Sequence, residues 1–491
     1  MIMVVTAASP PPPVRTRHTA RMRTVRTLVL VAITTMACGA PTAAPPAPPA
    51  PDPALPSRLV TDVTGDGAFA HLSELQRIAE ANGGNRALGT PGYDASVEYV
   101  ATALRDAGYD VQTPTFTARQ FEVRQEQLAV EGEAVPVSAL GFSPTTPDAG
   151  VTGPLALMAG EGCAPEDAAG VTPGSVALVR RGTCTFAQKA AHAAGAGAVG
   201  LIVINAEDVP LVDGTLGEGA TGVVPSGGVS RSAGDALAAR AGASVTLTLV
   251  TAATEAQSRN VLAQTRTGNP DEVVVAGGHL DSVPEGPGIN DNGSGAAALL
   301  ETAVRLGGSP PVANAVRFAF WGAEEVGLVG STSYVNGLPE PERARIALYL
   351  NLDMVASPNA GYLVYDGDDS DRTGAGPGPA GSAVVERALV EGLAAAGVTS
   401  AGTDFTGRSD YGPFIEHGIP AGGLFTGAEE VKTPEQAQQW GGTAGQPYDP
   451  CYHQACDRLD TVDRTALDRN TDAIAAALAR FALSTEELTS G

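Results

Sequence analysis

The chain has 491 residues and a formal charge of −24. That length allows two or three domains with a sizeable core. A surface so acidic repels nucleic acid and anionic membranes, which argues against any polyanion-binding role.

Five arginines (Arg15, Arg17, Arg21, Arg23 and Arg26) precede the apolar run TLVLVAITTMA over Thr27–Ala37. That run is too short to cross a bilayer but suits the core of a signal peptide. Residues 1–38 are therefore expected to be a leader, and His18 would leave with it. Cys38 follows at once in TMACGA. The arrangement resembles a bacterial lipobox, whose cysteine becomes the lipidated mature N-terminus, although Thr35 stands where an aliphatic residue is usual. Export to the cell surface or the medium is the expectation, with Cys38 as the candidate lipidation site. The other four cysteines fall into two local pairs, 163/184 and 451/456, in keeping with an oxidising compartment.

Residues 39–57 read as a Pro/Ala-rich linker (PTAAPPAPPAPDPALP over 41–56), extended and unable to pack. Folded sequence is expected from about Arg58. Helical periodicity runs over His71–Ala81 and again over Ala95–Ala107, with GGNRALGTPGY as the loop between them. From 126 to 251 the texture changes. Short β-rich runs (SVALVRR, AVGLIVIN, SVTLTLV) alternate with Gly-rich turns around one Ala-rich helix, AQKAAHAAGA. This reads as an inserted β-rich domain with its own small core. It would divide the main domain into residues 58–125 and 252–487.

Beyond the insertion, strands are predicted at VVVAGG (273–278), VRFAFWG (316–322) and LYLNLDM (348–354), with a helix at GAAALLETAVRL (295–306). Strand and helix in alternation predict an α/β fold, a mixed and mostly parallel sheet flanked by helices. Ligands of such sheets bind beyond the carboxyl ends of the strands. The chain has only six histidines, yet one of them, His279, ends the first of these strands. Asp291 follows in GINDNGSG, Glu324 and Glu325 end the second strand, Asp353 ends the third, and His453 lies between two cysteines in CYHQAC.

Zinc takes imidazole nitrogen and carboxylate oxygen, and two ions close together can share a bridging carboxylate. Two His, two Asp and one Glu suffice for such a pair, which leaves one of the adjacent glutamates as a proton carrier. Asp281, two residues past His279, is placed to accept the second imidazole N–H. Each of these residues alone has a commoner use: a strand-end Asp often caps the next helix, and an acidic pair is usually a solvated turn. Their collection at successive strand ends is what points to a metal site.

The segments HLDS, GINDNGSGAAALLE, WGAEEVGLVGS, LNLDMV and CYHQACD resemble, in order and character, the dizinc aminopeptidases secreted by streptomycetes and related bacteria. The likeness extends to NGGNRALGTPGYDASVEYV, GRSDYGPFIEHGIPAGGLFTGAEEVKT and QWGGTAGQPYDPCYHQACD. The resemblance implies the zinc-exopeptidase fold, with His279 and Asp353 on one zinc, Glu325 and His453 on the other, and Asp291 bridging. It implies Glu324 as general base, Asp281 orienting His279, Tyr452 stabilising the oxyanion and Arg408 binding substrate. It also implies a cis peptide after Asp291 and a calcium site built from Asp62, the Val63 carbonyl, Asp468 and Asp472; a solvated acidic helix face is the alternative for the last two. RRGTCTFAQKAAHAAGAGAVGLIVIN resembles a protease-associated (PA) domain, which implies a Cys163–Cys184 disulfide. The larger aminopeptidases carry this insertion and the compact streptomycete enzymes lack it. His71, His192 and His417 are expected to be structural or surface residues.

The reading is an exported, monomeric metallo-aminopeptidase acting on peptides with a free N-terminus, with a lean towards large apolar residues such as Leu. Its alternatives are a carboxypeptidase or dipeptidase of the same fold, a one-zinc glutaminyl cyclase, and a non-catalytic binding protein. The last would normally have lost ligands, and here none is missing.

Overall fold

The computed structural model describes residues 50–489 except 212, 213, 373 and 375. The expected leader, Cys38 and the first part of the linker lie outside the described residues. Among the described residues no helix is long and apolar enough to cross a membrane.

Among the described residues, regular structure starts at the helix Leu55–Asp62, ahead of Arg58. Pro56 stands in its first turn, where the missing N–H costs nothing. Leu55 and Leu59 are buried on the side that packs against the last helix, Arg464–Leu483. The helices expected over 71–81 and 95–107 also begin early, as Gly65–Ala81 and Pro91–Asp106. The Thr64 and Thr90 hydroxyls accept the N–H groups of Gly67 and Tyr93, so each Thr caps its helix. Glycines conceal these first turns from a periodicity reading. One of them is there for space: a Cβ on Gly67 would lie 2.1 Å from the Glu301 carboxylate.

The main sheet has eight strands. In spatial order they are Asp110–Gln112, Val261–Gln264, Asn314–Trp321, Asn269–His279, Ile346–Leu352, Ala421–Phe425, Leu363–Tyr365 and Ala401–Thr403. The four central strands, from Asn314–Trp321 to Ala421–Phe425, run parallel, while antiparallel pairs occur towards both edges. This is a mixed α/β sheet with helices on both faces. One face, lined by Val274, Ala276, Phe318, Leu348 and Leu350, packs on the long helices Gly65–Ala81, Gly295–Leu306 and Arg464–Leu483. The other face buries Trp321 and Tyr349 with Phe414 and Val335. The Tyr349 and Phe414 rings stack there at 3.9 Å.

A second eight-stranded sheet forms the insertion, and two apolar clusters serve as its cores. Four of its strands, Val151–Leu157, Val176–Arg180, Gly200–Ile204 and Ser226–Val229, are parallel. The Cys163–Cys184 disulfide closes a loop beside this sheet. The two sheets are joined by a long antiparallel ribbon, Thr115–Val130 on Ser244–Arg259, paired from Thr115↔Arg259 to Val130↔Val245. The expected junctions at 125/126 and 251/252 fall inside this ribbon, beside a register shift between Val123 and Gln125, and both strands continue through them.

Candidate active site

Three adjacent parallel strands end at one edge of the main sheet. Their register sets His279 opposite Trp321 and Gly277 opposite Asn351. His279 and the turns that follow the other two strands therefore meet at that edge. The approach is close enough to exclude side chains. A Cβ on Gly277 would lie 2.7 Å from Trp321 Nε1 and 2.8 Å from the Tyr349 hydroxyl, and one on Gly278 would lie 2.4 Å from the Leu352 carbonyl.

His279 Nε2 stands 3.2 Å from Asp291 Oδ1, 3.4 Å from Asp353 Oδ1 and 3.9 Å from Glu324 Oε2. His453 Nε2 stands 3.1 Å from both Asp291 Oδ2 and Glu325 Oε2. The two oxygens of Asp291 thus face two different imidazoles. His279 is 1 % exposed and Asp291 5 %, so this is buried charge. Burial pushes Glu324 well above the ordinary carboxylate range, assisted by the charges of Asp410, Asp353 and Glu325 against the pull of His279. Burial also raises Glu325 to about 7, with the Asp291 charge adding to it. Glu325 Oε1 and Asp353 Oδ1 are buried without any hydrogen-bond partner. Orphaned carboxylate oxygens are costly in a protein interior unless a cation satisfies them. Two imidazoles and three carboxylates, with unpaired oxygens turned inward, are a donor set that fits zinc.

Asp281 is fully buried and does more than its position beside His279 suggests. Its two oxygens accept the N–H groups of Glu324 (3.2 Å) and Glu325 (3.3 Å). Its carboxylate lies 3.8 Å from His279 Nδ1, while its own carbonyl is nearer, at 3.2 Å. Asp353 Oδ2 accepts from the Ser409 hydroxyl at 2.6 Å, and Asn351 Nδ2 donates to Ser409 in turn. The bond between Asp291 and Asn292 is cis.

Several supporting residues escaped the sequence reading. Arg86, fully buried, donates to the carbonyls of Leu280, Pro287 and Gly288 and so ties down the loop between His279 and Asp291. Asp457 accepts the N–H groups of Asn290 (2.7 Å) and Asp291 (3.0 Å). Asp449 accepts from Asn290 Nδ2 at 2.6 Å and from the Cys451 N–H at 2.8 Å. These two aspartates flank the Cys451–Cys456 disulfide loop that carries Tyr452 and His453. Together they lock it to the segment that carries Asp291. Asp410 is fully buried, and burial raises it to about 7 against the pull of His279. The only sequence signal for these residues was an ionisable side chain beside a ligand motif or in a Gly-rich turn.

A cavity of about 370 Å³ opens over the cluster, and its wall includes the apolar Leu328, Met354 and Phe425. Arg408 and Tyr452 line it too; Arg408 donates to the Tyr452 hydroxyl at 3.2 Å and to Glu429 at 2.8 Å. The four residues named for calcium lie elsewhere. Val63 follows the first helix, and Asp468 accepts the Gly65 N–H at 2.7 Å. Burial and the Asp468 charge raise Asp472 to about 6. The other described histidines have ordinary partners: His71 the Tyr99 hydroxyl, His192 the Gly162 carbonyl and His417 the Asn336 amide.

Residues 260–478 match Peptidase family M28, and residues 151–237 match the PA domain. The chain is 52 % identical over 437 residues to the "Probable lipoprotein aminopeptidase LpqL" of Mycobacterium tuberculosis, covering 87 % of this chain and 86 % of that protein. Among solved structures it is similar to the "Aminopeptidase from Aneurinibacillus sp. strain AM-1", with TM-score 0.73 and 27 % identity over 87 % of this chain and 96 % of that one. It is similar also to BSAP, "a zinc aminopeptidase from Bacillus subtilis", with TM-score 0.61 and 28 % identity over 86 % and 96 %.

Proposed function

The chain belongs to peptidase family M28, and from that premise we propose that it is an exported aminopeptidase that holds two zinc ions. It removes N-terminal residues from peptides, with large apolar residues such as leucine favoured. The observation that carries the reading is Asp291, whose two oxygens face His279 and His453 separately. A carboxylate so placed would serve two metal positions at once. His279 and Asp353 would complete one position, and Glu325 and His453 the other.

When bound, the zinc ions lower the pKa of a hydrolytic water and polarise the scissile carbonyl. The protein's own groups do the rest. Glu324 takes a proton from the attacking water and delivers it to the departing amine. Its Oε2 stands 3.9 Å from His279 Nε2, beside the proposed metal positions but outside the proposed ligand set, so the carboxylate is free to accept and return a proton. Tyr452 donates from its hydroxyl to the oxygen that becomes negative, with Arg408 holding that hydroxyl from behind. Glu324 also offers its charge to the substrate's α-ammonium, which selects a free N-terminus. Leu328, Met354 and Phe425 supply the apolar wall for the departing residue.

The reading extends to a monomer divided as residues 58–125 and 252–487 around an insertion at 126–251. It includes a leader through residue 38, a lipid anchor on Cys38, and calcium held by Asp62, Val63, Asp468 and Asp472. The test uses leucine p-nitroanilide and its N-acetylated twin, each with and without a zinc chelator. Chelator-sensitive release from the free amine alone is expected. Equal cleavage of both substrates would sink the exopeptidase reading.

A further inference from the structure

Asn260 is 2 % exposed and sits between the ribbon strand Ser244–Arg259 and the sheet strand Val261–Gln264. Its side-chain amide is used at both ends. Oδ1 accepts the Gly322 N–H at 3.1 Å, and Nδ2 donates to the Gly330 carbonyl at 2.8 Å. Gly322 and Gly330 are the two ends of the segment that carries Glu324 and Glu325. Asn260 therefore closes that segment like a staple. Its own N–H donates to the Pro114 carbonyl at 3.1 Å, which joins the staple to the other strand at the ribbon's base. The fit leaves no slack. A Cβ on Gly330 would lie 2.4 Å from Asn260 Oδ1, and one on Gly322 would lie 2.1 Å from the Tyr93 hydroxyl.

The stapled segment has an unfavourable backbone. Ala323 and Leu328 both have φ of +58°, a left-handed conformation that residues with a Cβ disfavour. Such geometry persists only where the surroundings over-determine it. Here the surroundings come largely from the base of the ribbon that leads into the insertion. Ala323 is buried in an apolar cluster with Leu88, Phe116 and Ala118, and Ala256 packs against it. Phe116, Ala118 and Ala256 are all ribbon residues. From the opposite side the Asp281 carboxylate takes the Glu324 and Glu325 N–H groups. Two adjacent carboxylates that burial penalises are thus aimed by a frame with three supports, and the base of the ribbon provides two of them.

We propose that Asn260, together with the ribbon residue Phe116 behind Ala323, is a positioning element for catalysis. It sets the aim of Glu324 as proton carrier and of Glu325 as metal ligand. The root of the insertion is then a working part of the active site and not a stalk for a separate domain. This rests on the roles proposed above for Glu324 and Glu325.

The test compares the zinc-loaded full chain with Asn260→Ala, Phe116→Ala, Phe116→Leu and Glu324→Gln. For each, kcat and KM on leucine p-nitroanilide, zinc content and Tm are measured. Asn260→Ala is expected to lower kcat by about 10- to 100-fold with KM within about threefold, because a small misplacement of a catalytic group costs rate more than binding. Phe116→Ala should move kcat the same way by a smaller factor, and Phe116→Leu should restore most of it. If kcat of the folded, zinc-loaded variants stays within about twofold of the parent while only Tm falls, the positioning role is overturned. Should Asn260→Ala fail to fold, the Phe116 pair decides by the same criterion. Glu324→Gln separates the two levels. If it keeps the parental kcat, the Glu324 reading and this inference fall together. If it is inactive while the Asn260 and Phe116 variants are not slowed, only the inference falls.

Discussion

The two halves of the candidate metal site are built differently. His279 and Asp353 extend from adjacent sheet strands, are 1 % and 8 % exposed, and owe their spacing to backbone register. His453 rides on a short disulfide loop, with its side chain 40 % exposed and its φ at +55°. The strand half is rigid because the sheet is. In the loop half, Asp457, Asp449 and the Cys451–Cys456 bond hold the segment of His453, and Asp281 holds Glu325 through its N–H. A ligand set therefore need not come from one kind of scaffold, provided each ligand is tied down by something that does not move.

This contrast can be probed from its largest effect downwards. Glu324 belongs to neither half in the proposed ligation, so Glu324→Gln should lower kcat by about 10²- to 10⁴-fold while zinc stoichiometry stays at the parental value. Loss of zinc on that substitution would instead make Glu324 a ligand and redraw the comparison. Replacing both Cys451 and Cys456 by Ser should weaken zinc on the loop half by about 10- to 100-fold and leave the strand half loaded. A chelator titration monitored by zinc content would then show two well-separated steps; simultaneous loss of all zinc would mean the halves do not behave separately. The smallest effect is expected from Ser409→Ala, which removes the 2.6 Å bond to Asp353. Zinc on the strand half should weaken by no more than about tenfold, at the low end for such supporting bonds, with the loop half unaffected. Competition against a metal-binding dye would measure it.

Much of the frame was legible before any coordinates. The runs at 273–278, 316–322 and 348–354 fall on the parallel strands Asn269–His279, Asn314–Trp321 and Ile346–Leu352, with Gly322, Asp353 and Met354 just past the strand ends, and 295–306 is the helix Gly295–Leu306. These segments are buried on all sides, so their apolar character is continuous and easily read. Less legible was where regular structure begins. Leu55–Asp62 is a helix although it lies at the end of a Pro-rich stretch, because two leucines find a groove on a helix four hundred residues away. The continuity of the ribbon through 125/126 and 251/252 was also hidden. Composition changes there, while the strand pairing continues on both sides of a one-residue register shift between Val123 and Gln125.

The candidate site divides along the same line. His279, Asp291, Glu324, Glu325, Asp353 and His453 could be named from residue type and from their places at strand ends, in the loops that follow them or between paired cysteines, since metal and proton chemistry restrict which side chains serve. Arg86, Asp457 and Asn260 could not. Each works through partners far off in the chain: Arg86 through carbonyls at 280–288, Asp457 through amides at 290 and 291, and Asn260 through Gly322 and Gly330. A hydrogen bond of this kind leaves no periodicity and needs no particular neighbour in sequence. Residue chemistry and local pattern thus determined which groups could act and on which elements they lie. Only the tertiary structure decided which buried amides and carboxylates hold them at working distance, because that depends on where the chain returns in space.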